Sequence, residues 1–344
     1  MSAPAMSAVA ELERPVGPRE LWDYVDVTGS RTLVVAASKD PNAKVSLLLV
    51  SPVTGEPELA VKAPTTEGAA AAVERERRAL VDLARLDLGD VGETIPRVVD
   101  TLDFDGRIAL VTTAVRGRPM STAYLAWRHT ARHSSVAADF AAAGAWLTRF
   151  QNRTTTAVPA PEPGIAQSLL ARFGEDVGIE ADVEELAALE QRADAERVSA
   201  TAIHGDFWFG NVLTTAGRVS GVVDWEAGSV IGNPVRDLVR FANMYALYLD
   251  RANGRRLRVR GQRGLRTGEF GAGLEFALAG NGWFPALFRE FVAGGLERVG
   301  ASRDSWRAAV LVGVAEVAAS TDDTTFARHH LELFRRLTVR GGAL

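Results

Sequence analysis

The sequence has no cysteine and no long apolar segment. Without cysteine, the chain forms no disulfide, thiolate metal site or cysteine nucleophile, and we expect a reducing, cytoplasmic environment. The longest apolar run near the C-terminus, residues 308–315, is well short of the roughly 20 residues that a membrane-spanning helix needs. The first residues lack the basic and apolar regions of a signal peptide, and we interpret residues 1–17 as a flexible tail. The sequence therefore predicts no contact with a membrane.

Basic charge is not in excess, and lysine is scarce. The 39 basic and 43 acidic residues give a net charge of -4, which argues against a nucleic-acid partner and favours small molecules or proteins. Only three basic residues are lysines: Lys39, Lys44 and Lys62. The chain thus uses arginine wherever a general positive charge suffices. A lysine within a motif therefore requires a specific reason.

The first third of the chain has the pattern of a small sheet with one helix. Three β-rich runs separated by Pro, Asn and Gly predict an antiparallel meander over residues 31–38, 44–50 and 58–64. Residues 67–86 are rich in Ala, Leu, Arg and Glu with helical spacing of the apolar positions, and they predict a helix. Two shorter apolar runs predict further strands at 95–100 and 107–115.

The rest of the chain has a mainly helical pattern. Helices are predicted over 136–152, over 183–200 and from Asn233, as an N-cap, to about residue 249. Residues 251–268 contain seven arginines and four glycines without apolar periodicity, and a solvated loop is favoured there over a polyanion site. An aromatic cluster at 270–291 is expected to be core, with some members lining a ligand pocket. The 344 residues allow two domains, or one domain with a smaller lobe.

The residues with the clearest chemistry lie in the segment HGDFWFGN, residues 204–211, and in the VVDWE that follows. A carboxylate at Asp206 can orient and deprotonate a hydroxyl. The amide oxygen of Asn211 and the carboxylate of Asp224 can hold Mg²⁺ against phosphates, because hard oxygen ligands suit a hard cation. The pattern His-x-Asp-x4-Asn is expected by chance on the order of 0.01 times in such a chain. The segment therefore predicts phosphoryl transfer.

On these motifs, the chain resembles the aminoglycoside phosphotransferase and choline kinase family over roughly residues 31–249. The resemblance implies an α+β, two-lobed protein-kinase-like fold, with a small antiparallel sheet lobe over 18–116 and a larger, mainly helical lobe over 117–344. It implies that ATP and Mg²⁺ are the cofactors. It also implies that Asp206 is the catalytic base and that Asn211 and Asp224 bind the metal.

The resemblance extends to the predicted sheet lobe. The third strand of the meander places Lys62 where the family has its phosphate-contacting lysine. Glu76 is the glutamate that should pair with it, and its position on the inward stripe of the predicted helix agrees, since a carboxylate on a buried face needs a cation. ATP is expected between the lobes, at a hinge where Thr113 and Val115 contact the nucleotide.

Two departures from kinase patterns limit the comparison. Residues 38–43, SKDPNA, lack the glycines of the loop that covers the phosphates in protein kinases. The sequence passes almost directly from VVDWE to a helix, with no activation-loop pattern, which disfavours a protein kinase. Phe209 stands where relatives often have proline, and we expect it to affect packing more than chemistry.

Several residues near the motif have structural interpretations. His204 is expected to hold the backbone by a hydrogen bond rather than to act as a base. Asp237 either braces the catalytic loop, as in the family, or favours the positive end of its helix. Glu226 has three open interpretations: a solvated side chain, a second metal ligand or the partner of an arginine.

The predicted function is ATP- and magnesium-dependent transfer of the γ-phosphate to a hydroxyl of a small molecule: an amino sugar, aminoglycoside, sugar or amino alcohol. The alternative is a catalytically silent pseudokinase that acts as a binding or scaffolding module. The intact motif residues argue against this alternative. The acceptor pocket is expected between Asp206 and residues 283–323. Glu316, Asp322 and Asp323 favour a neutral or cationic acceptor, although helix capping explains the two aspartates equally well. The sequence predicts no oligomeric state.

Overall fold

The computed structural model describes residues 19–20, 31–37, 43–162, 164–193, 198–250 and 258–341. It has a mixed sheet near the N-terminus followed by a larger helical region with two small sheets. The α+β kinase-like class predicted from the sequence is confirmed. The predicted tail at 1–17 lies outside the described residues. No helix among the residues described is long and apolar enough to cross a membrane.

The first sheet has six strands in the order β1-β5-β6-β4-β3-β2. Their bounds are β1 Arg19–Glu20, β2 Arg31–Ala37, β3 Lys44–Val50, β4 Pro57–Pro64, β5 Val98–Phe104 and β6 Arg107–Thr113. β1 pairs parallel to β5, and every other pair is antiparallel, so the predicted meander is confirmed. The predicted strands at 95–100 and 107–115 are present with shifted ends.

The register of the sheet determines which side chains share a face. Ser46 lies opposite Lys62, and Lys44 lies opposite Pro64. Because directly opposite residues and residues two apart point to the same side of a sheet, Lys44 and Lys62 project from one face. The opposite face carries a separate apolar cluster of buried residues from β3, β4, β5 and β6: Leu47, Leu49, Leu59, Val61, Ala63, Leu102, Ala109 and Val111.

Helix α1, Glu67–Leu83, packs against β4 and β6. The side chain of Thr66 caps its first turn by accepting a hydrogen bond from the amide of Ala69 at 3.2 Å. The helix ends at Leu83, three residues before the predicted residue 86. Its buried face includes Glu76, which is only 2% exposed. A carboxylate at that depth needs a cationic partner.

The second part of the molecule is mainly helical. Its helices are α2 Met120–Tyr124, α3 His133–Thr154, α4 Ile165–Phe173, α5 Ile179–Arg192, α6 Pro234–Leu247, α7 Ala272–Ala279, α8 Trp283–Arg298, α9 Trp306–Ser320 and α10 Thr324–Gly341. Short strands interrupt them: β7 Arg118–Pro119, β8 Thr201–Ile203, β9 Val212–Thr215, β10 Arg218–Val222 and β11 Ser229–Gly232. The order of the small sheets is β10-β9-β7 and β11-β8. The β8–β9 and β10–β11 connections hold the motif residues.

The helix predicted over 183–200 is wrong at both ends. It begins at Ile179 and ends at Arg192, and residues 198–200 are extended instead. They pair with an earlier segment, because the amide of Ala160 donates to Val198 O and the amide of Ala200 donates to Val158 O, both at 2.9 Å. This pairing is a tertiary contact that the local pattern does not contain.

The arginine-rich segment is also different from the prediction, over its described part, 258–268. Val259, Gln262 and Leu265 are buried, while the arginines between them point outward. The side-chain amide of Gln262 donates to Thr130 O at 2.7 Å, which satisfies it in a buried position. This segment is therefore packed against the helical region rather than solvated. Residues 251–257 lie outside the described part of the chain.

Candidate active site

The loop between β8 and β9 carries HGDFWFGN and is held by hydrogen bonds to α6. The carboxylate of Asp237 accepts hydrogen bonds from the amides of His204, at 2.6 Å, and Gly205, at 2.8 Å. Burial raises the pKa of Asp237, although the hydrogen bonds from the loop amides oppose that shift. Asn233 caps the helix by accepting from the amide of Val235 at 2.9 Å, as the sequence predicts. Asp237 thus braces the loop, the first of its two predicted roles.

Gly205 occupies a position that no other residue fits. Its φ is +79°, and a Cβ there would lie 2.1 Å from Ala227 O. A side chain would both strain the backbone and collide with a carbonyl. The glycine therefore brings the loop against the β10–β11 connection, which carries Asp224.

His204 is fully buried and holds the two connections together. Its Nε2 donates to Val223 O at 2.9 Å, while its Nδ1 accepts from the amide of Asp206 at 3.2 Å. One ring nitrogen donates and the other accepts, so the ring is the neutral tautomer. With both nitrogens engaged by backbone groups, His204 is structural rather than a base.

Asp206 projects from this loop with both carboxylate oxygens held. The Nδ2 of Asn211 donates to its Oδ2 at 3.1 Å, and the guanidinium Nε of Arg240 lies 3.3 Å from its Oδ1. Nδ2 of Asn211 also donates to Asp206 O at 3.0 Å, so the carbonyl oxygen of Asn211 is the atom that can bind a metal. The two partners fix the orientation of the Asp206 carboxylate.

Asp224 stands in a strained conformation with φ +71°. Positive φ is uncommon outside glycine and is concentrated at functional sites. Its Oδ1 accepts from the ammonium groups of Lys62, at 2.8 Å, and Lys44, at 3.1 Å. Burial alone would raise the pKa of Asp224, but these two ammonium groups hold it well below its usual range. Asp224 therefore stays ionised.

The structure brings Lys62 and Glu76 together. The ammonium of Lys62 lies 2.7 Å and 2.6 Å from the two carboxylate oxygens of Glu76. Burial opposes the charge on Lys62, yet Asp224 and Glu76 raise the pKa of its ammonium above the ordinary value. The amide of Trp225 also donates to Glu76 Oε1 at 3.3 Å. Lys62 thus links the sheet, α1 and the Asp224 connection at one point.

Lys44 and Glu226 form a second ion pair beside the first. The ammonium of Lys44 lies 2.5 Å from Glu226 Oε2 as well as 3.1 Å from Asp224 Oδ1. Burial and the neighbouring Asp224 carboxylate raise the pKa of Glu226, while Lys44 opposes that shift. Of the interpretations left open for Glu226, pairing with a cation is observed, although the cation is a lysine and not an arginine.

Two residues of the site were not predicted. The scarcity of lysine in the sequence marks Lys44 as unusual. Its place at the site, however, depends on the register of β3 with β4. Arg240 lies three residues after Asp237, which puts both side chains on the same side of α6 toward the loop. The three-residue spacing therefore predicts that Arg240 faces the loop only when Asp237 is already known to face it.

A cavity of about 1070 Å³ opens in front of these residues. Asp206, Asp224, Lys44 and Glu226 line it. It is also lined by residues of α6 and α9, of the segments that follow these two helices, and of α10, among them Arg240, Met244, Tyr248, Val317, Asp322, Asp323 and Phe326. The expected pocket wall at 283–323 is thus present only in its last part, and none of the aromatic residues at 270–291 lines this cavity.

Two of the three acidic residues expected at the acceptor pocket line the cavity. Asp323 accepts hydrogen bonds from the amides of Thr325 and Phe326, at 2.9 and 3.0 Å, so it also caps α10. Glu316 is paired with Arg236 instead, and burial raises the pKa of Glu316 although Arg236 and Arg240 oppose that shift. Glu316 is therefore not available to an ammonium group of a ligand.

Thr113 is the last residue of β6, and Val115 lies on the connection from β6 to β7. They line a different cavity, of about 520 Å³, together with the end of α1 and residues 86–97. The amide of Thr113 donates to Arg97 O at 2.9 Å, and its hydroxyl accepts from the amide of Arg97 at 2.9 Å. Neither residue shares the cavity that contains Asp206 and Asp224.

The donor set around Asp224 fits magnesium. No cluster of three or more His, Asp or Glu side chains arranged for a metal occurs in the described part of the chain. Mg²⁺ does not need one, because it is typically bound by one or two protein oxygens together with phosphates and water. The ionised Asp224 and the amide oxygen of Asn211 supply such oxygens.

The chain belongs to the phosphotransferase enzyme family, whose family model matches residues 49–276. Solved structures with the same fold include the N202A variant of a thermostable mutant of aminoglycoside phosphotransferase APH(4)-Ia, in ternary complex with AMP-PNP and hygromycin B. The identity is 15% and the TM-score 0.56, over 94% of this chain and 98% of that one. Another is ADP-bound aminoglycoside phosphotransferase APH(2'')-Ib, with 12% identity and a TM-score of 0.51 over 91% and 95% of the two chains. No match was found among curated protein sequences.

Proposed function

We propose that the protein transfers the γ-phosphate of ATP, with Mg²⁺, to a hydroxyl group of a small molecule. The observation that carries this proposal is that Asp206 and Asp224 line one large cavity, with Asn211 hydrogen-bonded to the Asp206 carboxylate. A base, two metal-binding oxygens and a phosphate-binding lysine are the parts that phosphoryl transfer requires. Membership of a phosphotransferase family supports the same reaction class.

Asp206 is the group that receives the proton of the acceptor hydroxyl. Arg240 and Asn211 hold its two oxygens, which fixes the carboxylate in one orientation toward the cavity. Positioning of this kind is the main contribution of an enzyme to phosphoryl transfer, since the transferred group needs little covalent assistance. The proton leaves the hydroxyl as the new phosphate–oxygen bond forms and the bond to ADP breaks.

Lys62 binds the phosphates of the nucleotide, and Glu76 holds its ammonium in place. Asn211 and Asp224 hold Mg²⁺. The metal, when bound, neutralises charge on the phosphate oxygens. Thr113, at the end of β6, and Val115, on the connection that follows, contact the nucleotide in this proposal.

The acceptor is a hydroxyl-bearing amino sugar, aminoglycoside, sugar or amino alcohol. Support comes from the walls of the cavity, which combine apolar side chains such as Met244 and Phe326 with the carboxylates of Asp322 and Asp323. Apolar faces suit sugar rings, while carboxylates suit hydroxyl or ammonium groups. Glu316 does not add to the charge of these carboxylates, because it is paired with Arg236.

A screen of hydroxyl compounds tests the proposal. Purified protein with MgATP is mixed with amino sugars, aminoglycosides, neutral sugars, amino alcohols and acidic sugars, and ADP release is followed with a coupled assay. We expect acceptor-dependent ADP release with at least one neutral or amino-bearing class. Nucleotide binding without transfer to any class would instead favour the rival function, a pseudokinase. A preference for acidic sugars would contradict the acceptor class.

A further inference from the structure

Two of the three lysines in the chain converge on a single oxygen atom, Oδ1 of Asp224. Only Lys62 has a role in the proposed function. Lys44 is the first residue of β3, and its ammonium is 3.1 Å from that oxygen and 2.5 Å from Glu226 Oε2. Its side chain is only 13% exposed. A second ammonium at this depth beside a metal-binding carboxylate calls for an explanation.

The two lysines have different surroundings. Lys62 contacts Glu76, whose side chain is 3% exposed and faces the interior. Lys44 contacts Glu226, whose side chain is 26% exposed, and both of these residues line the cavity that contains Asp206. The ammonium of Lys44 is therefore the one on the side where a phosphate chain enters. Lys62 is not among the residues that line this cavity.

The residue type also points to a function beyond charge balance. With 36 arginines against three lysines, the chain uses arginine for ordinary ion pairs. An ammonium is a compact charge with three rotatable donors, and it can exchange one oxygen partner for another without the planar geometry that a guanidinium requires. The β2–β3 connection, residues 38–43, contains no glycine. A Lys44 ammonium would supply donors to the phosphates where glycine-rich loops supply backbone amides.

We propose that Lys44 is a second phosphate-binding residue, which exchanges Asp224 for the β- and γ-phosphates of the nucleotide and keeps its contact with Glu226. This inference rests on the proposed function. If Asp224 binds Mg²⁺, the metal competes with the two ammonium groups for the oxygens of this carboxylate. An ammonium 3.1 Å from a metal-binding carboxylate lies within reach of phosphates that share the metal. Glu226 keeps Lys44 oriented during the exchange.

The test compares the affinities of AMP, ADP and ATP. Calorimetric titrations with Mg²⁺ are made on the wild type, on Lys44→Met and on Arg303→Met. Arg303 is a matched control because it is a half-exposed cation whose ion pairs, among the residues that the structure describes, are with the surface carboxylates of Glu290 and Glu297. A parallel melting curve for each variant measures folding.

We expect Lys44→Met to bind AMP as the wild type does and to bind ATP roughly 10- to 100-fold more weakly, with ADP between them, since a charge-assisted hydrogen bond has about this value. Arg303→Met should match the wild type throughout. Unchanged ATP affinity in Lys44→Met would overturn the inference, and so would an equal loss for all three nucleotides. A wild type that binds no nucleotide would instead refute the proposed function itself, so the two failures are distinguishable.

Discussion

At the scale of single residues, the site is organised by the pairing of scarce lysines with carboxylates. Lys62 connects Glu76 on α1 with Asp224 on the β10–β11 connection. Lys44 connects Asp224 with Glu226. Each ammonium thus bridges two carboxylates, and Asp224 is common to both. Replacing one of these side chains by a neutral one leaves the others partly buried without a full counter-charge. Such a change lowers the free energy of unfolding.

The Lys62–Glu76 pair predicts non-additive effects on catalysis. We expect Lys62→Met to lower kcat/KM by roughly 100-fold or more, because it removes a charge that stabilises the phosphates. Glu76→Gln should cost less, about 10-fold, since Asp224 still holds the ammonium. The double variant should be close to Lys62→Met alone, and steady-state kinetics measures all three.

Lys62→Arg is the matched control for this prediction. It keeps the positive charge but replaces a compact ammonium by a planar guanidinium, so we expect little recovery of activity. Full activity in Lys62→Arg would show that only charge matters. Strictly additive losses in the double variant would show that Lys62 and Glu76 act independently.

The sequence predicts the residues whose spacing is local and does not predict those whose position depends on other elements. Asp206, Asn211 and Asp224 lie within one short stretch, and the inward stripe of α1 identifies Glu76. Lys44 meets Asp224 only through the register of β3 with β4, across 180 residues of sequence. Arg240 meets Asp206 only because Asp237 orients α6 beneath the loop. Neither contact can be predicted from a local sequence pattern.

At the scale of elements, the loop between β8 and β9 is held by contacts with two other elements. Asp237 on α6 accepts both loop amides, and Gly205 lets the loop approach Ala227 on the β10–β11 connection. The positions of Asp206 and Asp224 therefore depend on Asp237 in α6 and on Gly205.

Gly205→Ala tests this support. The added Cβ would meet a carbonyl oxygen at 2.1 Å, so we expect a loss of roughly 1–3 kcal/mol in the free energy of unfolding, together with a large fall in kcat. Gly217→Ala is the control, because Gly217 has a similar φ, +73°, with no atom within 4 Å of the added Cβ. It should cost about 1 kcal/mol and leave kcat unchanged. Equal effects of both substitutions on kcat would contradict the argument.

The strands and helices themselves were largely predictable, and the errors have a common cause. The meander of β2, β3 and β4 has strong alternation and clear turns, and Asn233-Pro234 marks the start of α6. The helix expected over 183–200 ends early because residues 198–200 pair with a distant segment. The arginine-rich segment is packed because Val259, Gln262 and Leu265 find partners in the helical region. Tertiary contacts override the local pattern in both cases.

At the scale of the whole molecule, the ion pairs around Asp224 connect the first sheet to the helical region. Lys44 and Lys62 belong to the sheet, whereas Asp224 and Glu226 follow β10 in the second part of the chain. A nucleotide with magnesium would bind both parts at once. Ligand binding should therefore stabilise the complete molecule against unfolding.

Thermal unfolding measures this connection. Saturation with MgATP should raise Tm by several degrees, because a ligand at about 100 times its Kd contributes about 2.7 kcal/mol. Chelation of the metal with EDTA should remove much of this increase in the wild type. In Asp224→Asn, where the charge of the proposed metal ligand is absent, EDTA should make little difference, and in Asn211→Ala its effect should be intermediate. Equal stabilisation of the wild type by ATP with and without magnesium would contradict the assigned metal ligands.

The most direct test of the central claim is the separation of binding from transfer in Asp206→Asn. Asn keeps the size of the side chain and can still accept a hydrogen bond from one of the two donors, Asn211 or Arg240, but it cannot accept the proton of a hydroxyl. The measurement is mass spectrometry of the acceptor library after incubation with MgATP, together with calorimetric binding of MgATP. The account predicts that the wild type produces a phosphorylated acceptor. It also predicts that Asp206→Asn binds MgATP within a few-fold of the wild type and yields at most about one hundredth of that product. Wild-type rates of product formation by Asp206→Asn would contradict the assignment of Asp206 as the base.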